Sequence, residues 1–259
     1  MAAIATAVLI LLAVACSSES PPSSTPPLPA TEPTTSITNS TTEADSEVAF
    51  VRGLTSHTVE GVDAASGMTV PGSPAALYVD FERLRDDVRR EAGVVPAPDN
   101  VQRQDDRVVM SAPLVGMYRA FMDFGFDGNL IRSFSVASVP IDELVVGAGE
   151  TATVAGDTYE IVGARIDSLN AFEVVVKVTG GSPGTALPMD ASLNTTDGPV
   201  ASDAKNSVPR TESSPGEPVL AYYEFFNPSD IISITLHVCT KATSACGDVT
   251  LGFQSTQTA

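Results

Sequence analysis

Residues 172–179 read FEVVVKVT, and no other stretch restricts the fold as much. Taken alternately, Phe172, Val174, Val176 and Val178 fall on one side and Glu173, Val175, Lys177 and Thr179 on the other. That is the two-residue period of a β-strand with one apolar face. Residues 231–239, IISITLHVC, repeat it: Ile232, Ile234, Leu236 and Val238 alternate with Ser233, Thr235, His237 and Cys239. DTYEIVGARI (157–166), PVLAYYEFF (218–226) and GDVTLGF (247–253) extend the set. Turn chemistry separates these runs at Gly156-Asp157, Gly180-Gly181, Asp197-Gly198 and Pro215-Gly216.

Short strands spaced by such turns predict a mainly β fold over 140–256, an immunoglobulin-like antiparallel β-sandwich. The order GAGETATVAGDTYEIVGARI, FEVVVKVTG, an Asp-Gly turn and SSPGEPVLAYYEFFNPSDIISITLHV carries a further signal. It resembles a family of uncharacterised immunoglobulin-like domains on bacterial exported lipoproteins, over about residues 145–255. In that family a Gly-Glu-Thr start leads into a strand, and a Pro-Gly-Glu turn precedes a strand rich in Val and Phe. Thr179-Gly180 stands where the family often has Asn. The resemblance implies a fold and a location, and supplies no site residue.

Upstream, over 47–139, the pattern predicts a mixed region with a preceding α-helical segment. SPAALYVDFERLRDDVRREAG spans 73–93, with Ser73 as cap, Pro74 in the first turn and Gly93 as stop. Leu77, Phe81, Leu84 and Val88 recur at helical spacing. Arg89 and Arg90 fill the last turn, where the dipole favours cations. A second helix is expected over 111–125, SAPLVGMYRAFMDFG, with Leu114, Met117, Tyr118 and Phe121 on one face. Gly116 weakens it, and a strand pair is the alternative there.

The first 46 residues carry location rather than fold. From Ala2 to Ala15 the only polar residue is Thr6. Such a run is too short to span a bilayer, which takes about 20 residues, but it suits the apolar region of a secretory signal. Ala13-Val14-Ala15 before Cys16 resembles the bacterial lipobox, which implies cleavage after residue 15 and a lipid on the Cys16 thiol. An ordinary signal peptide with a coincidental cysteine is the competing reading. The first basic residue is Arg52, and a translation start upstream of Met1 would supply the missing positive region. Of the 30 residues 17–46, 21 are Ser, Thr or Pro. Too little apolar surface is present to offset the entropy of ordering them. Residues 16–46 are therefore expected to be a lipidated cysteine and a disordered stalk, reaching roughly 30 Å as coil and about 90 Å extended.

Chemistry is sparse. The formal charge of −18 argues against nucleic-acid partners. With Cys16 assigned to lipid, Cys239 and Cys246 remain as a pair on the outward side of one hairpin, and export predicts a disulfide. A two-Cys, one-His metal set with His237 matches no standard spacing. The only histidines are His57 and His237, and each reads as a solvated strand or loop residue without a nucleophile motif. Asp123–Gly125 matches a kinase triplet whose companion motifs are missing. Asp127–Asn129 lacks the spaced carboxylates of a calcium loop and reads as a turn.

No catalytic residue, cofactor or metal is therefore assigned. The expected protein is a lipoprotein held on the extracytoplasmic face of a bacterial membrane by lipid on Cys16. It serves as a non-catalytic binding or interaction module for an envelope protein. The alternative is a carrier of an apolar ligand between helices and sheet, with PLVGMYRAFMDFGF (113–126) lining the pocket. An enzyme ranks third.

Overall fold

The computed structural model describes residues 37–94, 96–112, 118–154, 156–167, 170–180, 190–208, 217–239 and 246–253. These all belong to one compact unit. The signal and most of the stalk, with Cys16, lie outside the described residues.

Three helices come first: α1 (Ile37–Leu54), α2 (Val59–Ser66) and α3 (Pro74–Glu91). The Ser73 hydroxyl accepts from the Ala76 N–H at the start of α3, and Gly93, at φ +76°, turns the chain out of it. Helix α1 corrects the expected stalk boundary at 46. Composition averaged over 17–46 hides that its last ten residues lead into Phe50, Val51 and Leu54, which are buried. Tertiary packing of those three anchors a helix that propensity alone would not hold.

An antiparallel sheet follows, in the order β1 (Asn100–Gln104), β2 (Arg107–Ser111), β3 (Tyr118–Asp127), β4 (Leu130–Val136), β5 (Val139–Pro140). The helix expected over 111–125 is thus replaced by the end of β2 and most of β3, with 113–117 outside the described residues. The cause is a bulge: β3 slips register against β4 between Met122 and Gly125, with Asp123 at φ +54°. The bulge brings Phe124 onto the face that already holds Phe121, so a spacing of three imitates a helical turn. Phe134 at the centre has Phe50, Tyr78, Phe121 and Phe124 rings within 5.3–5.9 Å, except that Phe50 and Phe124 are 6.4 Å from each other.

A short α4 (Ile141–Leu144) leads into two further antiparallel sheets. One runs β12 (Pro218–Phe226), β9 (Ala171–Thr179), β8 (Asp157–Ile166), β6 (Val145–Gly147), with β7 (Thr151–Val154) also on β8. The other runs β11 (Gly198–Ala201), β10 (Asp190–Thr195), β13 (Ile231–Cys239), β14 (Cys246–Gly252). Ile161, Val174, Val176 and Phe225 from the first share one core with Leu193, Ile234, Leu236 and Leu251 from the second. The sheets do not close into a barrel among the described residues. In β13 a register shift at Asn194/Thr195 turns Ile231 toward the core and leaves Ile232 58 % exposed, against the simple alternation.

Helix α3 lies between the two halves. Ala75, Tyr78 and Val79 pack into the helix-and-sheet core, while Phe81 and Val88 meet Val175 and Tyr222 of the β12-β9-β8-β6 sheet. Leu77, expected inward, is 42 % exposed, and Glu82, Arg85 and Asp86 are buried instead. The helix comes so close to β8 that a Cβ on Gly163 would stand 3.1 Å from the Phe81 ring.

Candidate functional site

Among the described residues, four places concentrate polar chemistry. The first is the seam between α3 and the sheet. Arg165 on β8 and Glu173 on β9 are register partners. Arg165 Nε donates to Glu173 Oε2 at 2.5 Å, and its Nη1 to Glu82 Oε1 at 2.5 Å. Arg85 pairs with the second oxygen of Glu82 and stands 3.7 Å from Glu173 Oε1. The Tyr222 hydroxyl lies 2.6 Å from that same Glu173 oxygen. The Arg165 guanidinium also lies against the Tyr78 and Phe81 rings, 4.9 and 4.7 Å from their centroids.

Burial alone would push the Glu82 carboxyl up, but Arg165 and Arg85 more than offset it and hold it below the ordinary carboxylate range. Glu173 is held low in the same way, helped by the Tyr222 hydroxyl. Glu224, half-buried beside Glu173, is instead pushed up by burial and by that neighbouring charge. Two carboxylates and two guanidiniums close on one another here, so the cluster clamps helix to sheet.

The second place is His57, at φ +56° between α1 and α2. Sequence reading placed it in solvent. It is instead mostly enclosed, with Nδ1 3.1 Å from Asp86 Oδ1 and Nε2 3.7 Å from Asp99 Oδ2. Burial lowers its pKa, the two carboxylates raise it further, and the result is about 9. An imidazolium with both nitrogens engaged is a clasp joining a loop, α3 and the approach to β1. Ser56 beside it turns its hydroxyl to the Gly53 carbonyl.

The third is a cleft of about 590 Å³ at the turn end of the paired sheets. Ile166, Phe172, Ile231 and Phe253 form an apolar floor, with Asp197 and Asp230 on the rim. Phe172 and Phe253 meet edge to face at 5.1 Å. The surrounding turns are tied together. Asn227 N–H donates to the Asn170 carbonyl at 3.0 Å, and both asparagines have positive φ. Thr196 N–H donates to the Asp230 carbonyl at 3.1 Å. Among the described residues, the cleft's lining includes no histidine, cysteine, lysine or arginine. Its chemistry suits holding an apolar group under a polar rim.

The fourth is the outward face of the β13–β14 hairpin. Cys239 and Cys246 are register partners with sulfurs 2.08 Å apart, a disulfide. His237, also exposed, sets Nδ1 2.9 Å from Asp248 Oδ1.

Ion pairs lie between α3 and the sheet, and of the stretch 113–126 expected to line a pocket, Phe121 is buried in the core while 113–117 lie outside the described residues. Asp127–Asn129 forms the β3–β4 turn, with Gly128 at φ +61°. Sequence reading missed the seam altogether. Glu173, one acid inside a run of valines, was its only local signal. Compared with known protein families, with curated proteins and with solved structures, the chain matches none.

Proposed function

We propose that this chain is a lipoprotein anchored through Cys16 on the extracytoplasmic face of a bacterial membrane. Its paired sheets form an immunoglobulin-like sandwich that acts as a non-catalytic binding module. The observation that carries the binding reading is the cleft at the turn end. It has an apolar floor, a polar rim and turns pinned by backbone hydrogen bonds, so little ordering entropy is lost when a ligand enters. No helix among the described residues is long and apolar enough to cross a membrane, and the lipid is the proposed attachment. The buried ion pairs between α3 and the sheet weigh against a carrier with its pocket there, because opening that seam would strand charges.

Two measurements test this. Cys16→Ser is expected to lose membrane retention and the mass of the lipid; unchanged retention and mass would overturn the anchor. Native mass spectrometry of detergent-extracted protein tests the module. A bound mass that disappears when Ser229→Trp fills the cleft supports it. A bound mass that survives the substitution places the ligand elsewhere and overturns the cleft.

A further inference from the structure

We propose that the outward face of the β13–β14 hairpin is a metal site gated by its disulfide. On reduction, Cys239 and Cys246 become thiolate ligands and join His237 to bind one soft divalent cation, such as zinc.

The register places the residues. Cys239 faces Cys246 and His237 faces Asp248, adjacent rungs on one side of the hairpin. The His237, Cys239 and Cys246 ligand atoms all lie within 4.8 Å of one another. A tetrahedral zinc with Zn–S near 2.3 Å and Zn–N near 2.0 Å sets its ligand atoms roughly 3.3–3.8 Å apart. Once the bond between the sulfurs is broken, that spacing is within reach of side-chain rotation at the three residues.

Asp248 is what distinguishes this arrangement from a histidine that merely lies near a disulfide. With the carboxylate 2.9 Å from Nδ1, that nitrogen is the donor, and Nε2 keeps its lone pair for a metal. A carboxylate behind a ligating histidine fixes the ring and raises its basicity. Three protein ligands leave a fourth position for water.

The chemistry balances. A dithiol reductant gives two electrons and two protons to the Cys239–Cys246 bond and leaves as its own cyclic disulfide. The two resulting thiols lose their protons as the cation binds. In the oxidised state the sulfurs are spent on each other, so the site exists only in the reduced chain.

The test uses the full chain, extracted from membranes in detergent, reduced with a dithiol, desalted without oxygen and titrated with cobalt(II) and then zinc. One cobalt per chain is expected, with thiolate charge-transfer absorption, displaced by zinc and missing from the oxidised protein. His237→Gln and Asp248→Asn should each weaken binding by about 10-fold or more. The proposal is overturned if the Cys239→Ser/Cys246→Ser variant, which retains Cys16, binds cobalt as the reduced chain does. It is equally overturned if His237→Gln binds as tightly as the parent. Circular dichroism of the loaded protein must keep the sheet signal; uptake only by a chain that has lost it also overturns the site.

Discussion

Between the paired sheets, Ile161, Val176, Leu236 and Leu251 meet side chain to side chain, all 0 % exposed. One layer away, between α3 and the same β8–β9–β12 strands, Arg165 is equally inaccessible and is surrounded by Glu82, Glu173 and Arg85. Strand β9 serves both spaces, with Val174 and Val176 on one face and Glu173 and Val175 on the other. Apolar packing is non-directional and tolerates exchange of shape for shape. A buried ion cluster must be satisfied group by group, and removing one member leaves its partners charged in a poor solvent. The two spaces therefore differ in how they fail.

The largest effect is expected at Arg165. Arg165→Ala should cost about 3–5 kcal/mol in chemical denaturation, because Glu82 and Glu173 lose one of their two counter-ions and keep only Arg85. Leu236→Ala in the sheet core should cost about 2–5 kcal/mol, from transfer and cavity terms. Single costs overlap, so combination separates the mechanisms. Arg165→Met and Arg85→Met with Glu82→Gln and Glu173→Gln should cost less than Arg165→Ala alone, since all four charges of the cluster are removed together. Leu236→Ala with Ile161→Ala should cost more than either alone. If this fourfold change proves the worst variant of all, the seam is held by packing and the contrast fails.

Acid gives the same comparison a second readout. Glu82 and Glu173 have folded-state pKa values below their ordinary 4.5. Their contribution is present above that value and is lost as pH falls from it toward the depressed folded values. Stability should therefore fall below about pH 4.5 in the parent and fall less steeply in the fourfold variant, where neither carboxyl remains.

The same asymmetry explains what was legible. The strands of the paired sheets could be read because alternation is local: FEVVVKVT and IISITLHVC state their own faces. The caps of α3 are local too, at Ser73, Pro74 and Gly93. The seam was not legible, because Glu82 and Arg165 are 83 positions apart and look like surface charges until the fold joins them. His57 was misread for the same reason: its partner Asp86 is 29 positions away. The bulges at Asp123 and at Ile231 changed the phase of otherwise readable strands, turning one into an apparent helix and the other inside out by one residue. The cleft is assembled from the ends of separate strands and the turns between them, and no single run of sequence announces it.

The disulfide tests the apolar half from its rim. Replacing Cys239 and Cys246 with Ser should lower stability by about 2–3 kcal/mol through loop entropy. Because Val238 and Val249 between the sulfurs and the core stay buried, the sheet signal should survive. Loss of the β13–β14 pairing on this change, read by hydrogen exchange, would show that the core there depends on the staple.

His57 is a smaller version of the seam, one cation between two carboxylates. Its folded pKa of about 9 exceeds the ordinary 6.5, so its contribution is full below pH 6.5 and disappears as pH rises through 9. Solvent reaches part of the ring, and the effect is on the order of 1 kcal/mol. The stability difference between the parent and His57→Gln should shrink across that window. A difference that stays constant from pH 6 to 10 would mean that the loop is held by shape alone.

The smallest effect is expected where neither kind of filling operates. In the first half of α1, Glu43 and Asp45 are exposed and Ala44 and Ser46 only half-buried, and full burial begins at Phe50. A chain beginning at Glu47 keeps Phe50, Val51 and Leu54, and with them the contacts that hold the helix to the core. What it loses is a few turns of Ser- and Thr-rich helix, whose propagation is nearly neutral in water. Stability should change by less than about 0.5 kcal/mol, a melting shift under about 2 °C for a domain of this size. A drop of several degrees would mean that residues before 47 bury surface against the domain and belong to its fold.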